Sequence, residues 1–195
     1  GILAGDGLLN LAYETMFNAI KNISSDYADI ENAKKMALYS QAAAVIASKA
    51  GVDGMVGGQS LDVYLTDKPM DKEQLDYIFR LKTGALIEAA FMAGGILAGC
   101  DEKTQGLLCK AGYNVGFAFQ IKDDILDVTS TQEVLGKPVL SDERNNKTTY
   151  VTLYGLEKAE KDTYDMSKEA MGIIKSIGHN EYLEELINML IHRNK

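Results

Sequence analysis

The spacing of apolar residues along the chain predicts helices from end to end. In the first segment, residues 2–22, the apolar residues Leu8, Leu11, Ala12 and Phe17 recur in a helical pattern. No segment of useful length alternates between apolar and polar residues with period two, so no strand is predicted. A short helix is predicted to begin at residues 57–58. The other helices are predicted for residues 26–50, 71–79, 85–99, 104–128, 148–154, 156–177 and 181–192. The predicted fold class is therefore all-α, one domain over residues 1–195, with long helices packed around a central apolar space.

Local signals set the expected limits and burial of these helices. Ser24 or Ser25 is predicted to cap the second helix, and Gly51 is predicted to end it. No charged residue occurs from Met36 to Ala47, so this helix is predicted to be buried over most of its circumference. Residues 82–84 are predicted to interrupt the helical pattern of residues 71–99, and residues 135–147 to form a polar loop.

Composition narrows the classes of partner. The 195 residues are 46% hydrophobic with a net charge of −8, which disfavours nucleic acid as a ligand. The longest apolar run, residues 84–100, contains Glu88 and four glycines, which favours a buried helix over a membrane span. Cys100 and Cys109 fit neither a metal-binding spacing nor a disulfide framework, and a cytoplasmic location is expected. Because the chain opens within a helical pattern and without Met, we expect it to be part of a longer protein.

Three aspartates within residues 116–128 form the strongest chemical signal. On a helix, Asp123 and Asp127 lie one turn apart, and their like charges repel unless a cation lies between them. Mg²⁺ is the natural candidate because one or two carboxylates together with substrate phosphates usually bind it. A solvated acidic helix face would give the same pattern. Polar Gln120 in an apolar stretch and Gly116, which permits close helix approach, favour a packed helix with its polar end at a cavity.

Three further patterns are weak individually. An interruption at Lys82 would free backbone carbonyls that could face a cationic ligand, but taken alone the pattern favours a simple helix break. Gln59 and Asp62 are three residues apart and would be neighbours on a helix, but an ordinary surface pair at a helix start would show the same spacing. Lys137 and Lys147 belong to a polar loop that could supply positive charge to phosphate oxygens. No nucleophile, dinucleotide-binding or P-loop pattern is present.

Five motifs occur in a fixed order that is specific as a set. They are Gly-Gln-x-x-Asp, Lys-Thr-Gly, Phe-Gln-Ile-x-Asp-Asp-x-x-Asp, Gly-Lys-Pro-x-x-Ser-Asp and Lys-Thr-Thr-Tyr. Their order resembles the C-terminal two-thirds of the trans-isoprenyl diphosphate synthases, the polyprenyl synthetase family, and among them the bacterial farnesyl diphosphate synthase type. The resemblance implies the isoprenoid-synthase helical bundle around a central cavity, with the N-terminal helices missing, and a homodimer.

The resemblance also implies roles for individual residues. Asp123, Asp124 and Asp127 match the second aspartate-rich motif, with Asp123 as the leading Mg²⁺ ligand. The remaining matches are Lys82, Lys137 and Lys147 for binding the allylic diphosphate, Gln59 and Asp62 for lining the cavity, Thr83 and Gln120 for facing the developing allylic cation, and Phe119 for the position near isopentenyl diphosphate. Of these, Lys82, Thr83, Gln120 and Asp123 are the implied catalytic residues.

The implied activity is Mg²⁺-dependent condensation of isopentenyl diphosphate with an allylic diphosphate, dimethylallyl or geranyl, to give farnesyl diphosphate. The family's first aspartate-rich motif and most of its isopentenyl diphosphate site have no counterpart in these 195 residues. The chain by itself is therefore expected to be inactive, and the residues that set product length are absent from it. A non-catalytic helical partner subunit and a class I terpene cyclase are the alternatives, although the Lys-Thr-Gly and Gly-Lys-Pro motifs favour a chain-elongating enzyme.

Overall fold

The computed structural model describes residues 1–23, 29–130 and 148–193. In these ranges every regular element is helical, which confirms the predicted all-α class. The α-helices are α1 (Ile2–Lys21), α2 (Ile30–Ala50), α3 (Met55–Tyr64), α4 (Lys72–Ile78), α5 (Ala85–Leu97), α6 (Glu102–Thr129), α7 (Tyr150–Tyr154), α8 (Leu156–Ile177) and α9 (Glu181–His192). A π-helical stretch, Phe79–Gly84, joins α4 to α5 and is called the π segment below.

The π segment replaces the helix break that the sequence predicted. The chain does not leave the helix at residues 82–84, but widens into a π-helical turn and continues directly into α5. In a π-helix each N–H bonds to the carbonyl five residues back, so the backbone stays paired while its path shifts. Such turns are rare and frequently occur at functional sites.

The start of α2 also differs from the prediction. Its N-cap is Asp29, whose carboxylate accepts a hydrogen bond from the Glu31 N–H, and the helix begins at Ile30. Ser24 and Ser25, the predicted caps, lie outside the described residues. Gly51 does end the helix, as predicted.

Helix α6 runs through the centre of the described structure and packs against α5, the π segment and α8. Phe117, Ile121 and Ile125, which recur at four-residue steps along one face of α6, are buried in the main core, together with Phe79 of the π segment. Val128, on the same face, is 39% exposed near the end of the helix. Burial of this face fixes the rotation of α6, and thus the direction in which its polar residues point.

A buried ion pair fastens α2 to α5. Lys49 and Glu88 form a hydrogen-bonded pair, and Glu88 is almost completely buried. The Cys109 thiol of α6 lies 3.9 Å from the same carboxylate. Burial, followed by the nearby charge of Glu88, raises the pKa of this thiol. Because removing one member would leave a buried charge unpaired, the pair favours this one docking of the two helices.

The predicted burial of α2 is wrong. Ala42 is its one buried residue, and α1 has none. Helix α1 packs mainly on α2, and its apolar side chains face outward, with Leu8 69% and Phe17 64% exposed. Helix α5 covers one side of the uncharged stretch of α2, where Ala42, Leu38 and Val45 pack against Ala93 and Ile96. The other residues of the stretch are partly or fully exposed, because an uncharged helix face is buried only where another element covers it. None of the described helices has an apolar stretch that could cross a bilayer.

Candidate active site

The first part of the site forms where α3 meets the π segment. A Cβ atom on Gly58 would overlap the backbone nitrogen of Lys82, so only glycine allows the two backbones this close. Asp62 lies one turn further along α3, and its carboxylate accepts a hydrogen bond from the Lys82 ammonium at 2.5 Å. Lys82 remains 32% exposed, so its charge is fixed in direction but accessible to a ligand.

The second part forms where α6 meets the same segment. A Cβ on Gly116 would lie 2.6 Å from the Cα of Gly84, which confirms the predicted close approach at this glycine. Gln120 and Asp123 follow Gly116 by four and seven residues and continue the same face of α6. Gln120 and Thr83 are both half-buried. Gln120 lies one turn after Gly116, and Thr83 lies next to Gly84, so both are close to the point where the two elements touch.

The side chain of Asp123, the predicted leading metal ligand, is 40% exposed. Its Oδ1 atom accepts a hydrogen bond from Nη2 of Arg193 at 2.7 Å. The same nitrogen donates to the carbonyl oxygen of Phe119 at 2.9 Å, and the guanidinium lies 3.8 Å from the centre of the Phe119 ring. The sequence analysis did not predict a role for Arg193, because a single basic residue after the last helix forms no motif.

The other two aspartates have different surroundings. Asp124 accepts a hydrogen bond from the backbone N–H of Tyr150 at 2.6 Å, which ties α6 to the first residue of α7. Asp127 is 3% exposed and is engaged in an interaction of its own. Over residues 1–23, 29–130 and 148–193, no three His, Cys, Asp or Glu side chains converge as a metal site. Asp123 and Asp124 thus accept hydrogen bonds from different elements, Arg193 after α9 and Tyr150 of α7.

The remaining predicted residues are placed as follows. Gln59 is exposed on α3, and Phe119 is half-buried beneath Arg193. Lys137 and Lys147 lie outside the described residues. The structure thus brings Asp62 and Lys82 into contact and places Thr83 close to the face that carries Gln120.

Tyr150 links the site to α8. Its hydroxyl donates to Asp162 at 2.6 Å, and Lys158 shares that carboxylate. Burial, followed by the hydrogen bond to Asp162, raises the pKa of Tyr150 far above its usual range. Burial acts to raise the pKa of Asp162, but the hydrogen bonds from Lys158 and Tyr150 outweigh it and lower that pKa.

The sequence model of one protein family, polyprenyl synthetase, matches residues 1–190. The chain belongs to this family. It is 36% identical to the farnesyl diphosphate synthase of Escherichia coli over its whole length, which covers 63% of that protein. It is 38% identical to the geranylgeranyl diphosphate synthase of Cyanophora paradoxa, over 87% of this chain and 53% of that protein.

Solved structures confirm the isoprenyl synthase fold. The geranyltransferase of Helicobacter pylori, solved in complex with magnesium and isoprenyl diphosphate, aligns with 97% of this chain at a TM-score of 0.75 and 29% identity. The alignment covers 58% of the Helicobacter pylori chain. The present chain thus spans about three-fifths of the length of the family members that it matches.

Proposed function

We propose that the complete protein is a Mg²⁺-dependent prenyltransferase that elongates an allylic diphosphate by one isoprene unit at a time. Its substrates are isopentenyl diphosphate and an allylic diphosphate, dimethylallyl or geranyl, and its product is farnesyl diphosphate. Membership of the polyprenyl synthetase family supports the reaction class, and similarity to several farnesyl diphosphate synthases supports the product.

One observation carries this proposal: the Lys82 ammonium of the π segment, which Asp62 of α3 holds in place, is partly exposed. The same π segment packs closely, at Gly84, against the face of α6 that leads to Asp123. A cation fixed in direction can stabilise negative charge as it develops without first reorganising. An accessible carboxylate on the neighbouring helix is the complementary group, because it can bind the cation that a diphosphate carries.

Asp123 fits a magnesium site on an observation of its own. Its carboxylate already pairs with a cation, the Arg193 guanidinium, and remains half-exposed. Hard oxygen ligands of this kind bind Mg²⁺, usually as one or two carboxylates together with substrate phosphates. When bound, Mg²⁺ would neutralise charge on the leaving diphosphate.

The protein's own residues would act on both ends of the breaking bond. Lys82, with Lys137 and Lys147, would donate hydrogen bonds to the diphosphate while the allylic C–O bond ionises. The oxygen atoms of Thr83 and Gln120 would face the resulting allylic cation. The double bond of isopentenyl diphosphate, near Phe119, then attacks that cation, and the released diphosphate accepts the proton that is lost. Apolar residues of α6 would exclude water, which would otherwise capture the cation.

We also propose a cytoplasmic homodimer that binds no nucleic acid. The net charge of −8 disfavours nucleic acid as a ligand, and the homodimer and the cytoplasmic location are expectations from the family resemblance. Gel filtration with light scattering on the complete gene product would measure the oligomeric state. A monomer at micromolar concentration would contradict it.

Incorporation of labelled isopentenyl diphosphate by the complete gene product tests the activity. We expect farnesyl diphosphate from dimethylallyl or geranyl diphosphate, and no product without Mg²⁺. Asp123→Ala should lower turnover by roughly 100-fold or more with helix content unchanged. Asp165→Ala, which removes an exposed carboxylate on α8, is the matched control and should retain full turnover.

Two results would reject the proposal. A folded complete protein that incorporates no label with any allylic starter, yet activates a second prenyltransferase chain, would be a partner subunit. Release of diphosphate from an allylic substrate without isopentenyl diphosphate, giving cyclic hydrocarbons, would indicate a class I terpene cyclase.

A further inference from the structure

Asp124 has a specific contact outside the face of α6 that carries Asp123. Its Oδ2 atom accepts a hydrogen bond from the backbone N–H of Tyr150 at 2.6 Å, across 26 residues of sequence. The contact fixes the first residue of α7 against α6. A charged acceptor makes this stronger than an ordinary backbone hydrogen bond.

Tyr150 is held at two further points. Its hydroxyl donates to Asp162 on α8 at 2.6 Å, and its side chain is almost fully buried. Its ring stacks on Phe79, with centroids 6.4 Å apart and planes at 23°, and meets Phe117 edge-on at 6.2 Å. Tyr150 is therefore fixed by three elements: α6 contacts its backbone and its ring, the π segment contacts its ring, and α8 contacts its hydroxyl.

The contact between the rings of Tyr150 and Phe79 connects Tyr150 to the site. Phe79 is the first residue of the π segment, which carries Lys82 three residues later. Phe79 also contacts Phe117 of α6, at 5.6 Å between centroids. Movement of the Tyr150 backbone would therefore alter the packing that sets the π segment against α6, and with it the direction of Lys82.

A neighbouring contact fixes the same end of α7 to the segment that precedes α4. The Thr148 hydroxyl accepts a hydrogen bond from the backbone N–H of Met70 at 3.2 Å. Thr149 caps α7 through its side chain, which accepts from the Thr152 N–H. With the contacts of Tyr150 to Asp124 and Phe117, these bonds hold the start of α7 against α6, α8 and the segment before α4.

We propose that Asp124 is a positioning residue, which holds Tyr150 and, through Phe79, the π segment that presents Lys82. This inference rests on the proposed function for its catalytic consequence, and assigns to Asp124 a role different from metal binding. Asp123 remains the carboxylate that binds the diphosphate-bound cation.

The two roles respond differently to asparagine. Asp124→Asn keeps a carbonyl oxygen in the same place, so it can still accept the Tyr150 N–H, but it loses the negative charge that a metal ligand needs. Asp124→Ala loses both. A positioning role therefore predicts rescue by asparagine, and a metal-binding role predicts none.

The kinetic test compares Asp124→Asn, Asp124→Ala and Asp123→Asn in the complete gene product. We expect Asp124→Ala to lower kcat/KM for the allylic diphosphate by about 10- to 100-fold, because small misplacements of catalytic groups have effects of this size. Asp124→Asn should stay within about threefold of the unsubstituted protein, since a neutral acceptor replaces a charged one. Neither should shift the Mg²⁺ concentration for half-maximal rate, whereas Asp123→Asn should raise it.

A second measurement does not depend on activity. Hydrogen exchange of the Tyr150 amide should be about tenfold faster in Asp124→Ala and within about threefold of the unsubstituted protein in Asp124→Asn. The Leu183 amide, which the Asn180 side chain caps at 3.0 Å, is the control and should not change in either variant. If the protein proves not to be a prenyltransferase, this result still decides whether Asp124 holds Tyr150.

Three outcomes would overturn the proposal. One is that Asp124→Asn loses as much activity as Asp123→Asn and shifts the Mg²⁺ requirement. Another is that Asp124→Ala keeps full activity. The third is unchanged Tyr150 exchange in Asp124→Ala. Should the alanine variant fail to fold, the isosteric asparagine variant still separates the two roles.

Discussion

The Arg193 guanidinium donates to the Asp123 carboxylate at 2.7 Å, and so joins the residue after the last helix to the aspartate motif of α6. Arg193 is 17% exposed and also covers the ring of Phe119. The guanidinium donates to one carboxylate and one carbonyl oxygen, and the aliphatic part of the side chain is mostly buried. Arg193 therefore contributes to stability through packing as well as through charge. The contact therefore fixes both the end of α9 and the orientation of Asp123.

Removal of Arg193 should loosen the end of α9. We expect Arg193→Ala to lower the free energy of unfolding by about 1–2 kcal/mol, mostly through lost packing and the cation–π contact. Because Asp123 is half-exposed, its coupling to Arg193 in a double-mutant cycle with Asp123→Asn should be only about 0.5–1 kcal/mol. Urea denaturation of the four proteins gives both values, and a coupling of zero would show that the ion pair is incidental.

Two glycines of α6 should respond in opposite directions to alanine. Gly116→Ala places a Cβ 2.6 Å from the backbone of Gly84, and we expect it to destabilise the protein by about 1–3 kcal/mol. Gly106 has open space around it in the same helix, so Gly106→Ala should stabilise by about 0.5–1 kcal/mol. Urea denaturation midpoints of both variants measure this. Equal effects would contradict the close approach of α6 and the π segment.

Lys82 should be important for diphosphate binding. Lys82→Gln removes the charge but keeps a donor for Asp62, so the fold should persist while affinity for inorganic pyrophosphate with Mg²⁺ falls about 10- to 100-fold. Lys161→Gln, which removes an exposed lysine paired with Asp165, should bind pyrophosphate normally. Titration calorimetry on the complete gene product makes the comparison, and equal affinities for the two variants would argue against Lys82 as a diphosphate ligand.

The Tyr150 hydroxyl should make stability fall at alkaline pH. Burial and the Asp162 carboxylate raise the pKa of Tyr150 in the folded protein, so the proton is bound more tightly there than in the unfolded chain. That contribution is complete below the unfolded tyrosine pKa of about 10 and is lost as pH rises through the folded value. Urea midpoints between pH 8 and 11 should therefore fall less steeply for Tyr150→Phe. A slope unchanged by that substitution would reject the assignment.

The sequence predicted most of the helices because helix formation depends on local spacing. The limits of α8 and α9 agree with the prediction, and those of α1 and α6 lie within two residues of it. Phe117, Ile121 and Ile125 recur at four-residue steps, and burial of that face follows from the spacing alone.

The site was predictable as a set of residues but not as a set of contacts. Lys82, Asp62 and Asp123 could be selected from their motifs. That Lys82 pairs with Asp62, and that Asp123 pairs with Arg193, depends on which residues the packed helices bring together. These partners lie 20 and 70 residues apart, so no local pattern records them.

What the sequence determined by itself is the helical class, the apolar face of α6 and the acidic cluster beyond it, because each follows from residues within a few turns of one another. Tertiary structure alone decided that Asp124 holds Tyr150 and that residues 82–84 continue as a π segment. It also decided that the uncharged stretch of α2 is only partly buried, with Ala42 as its one fully buried residue. A side chain's burial and partners depend on which elements lie against it, and that arrangement is set by the packing of the whole bundle.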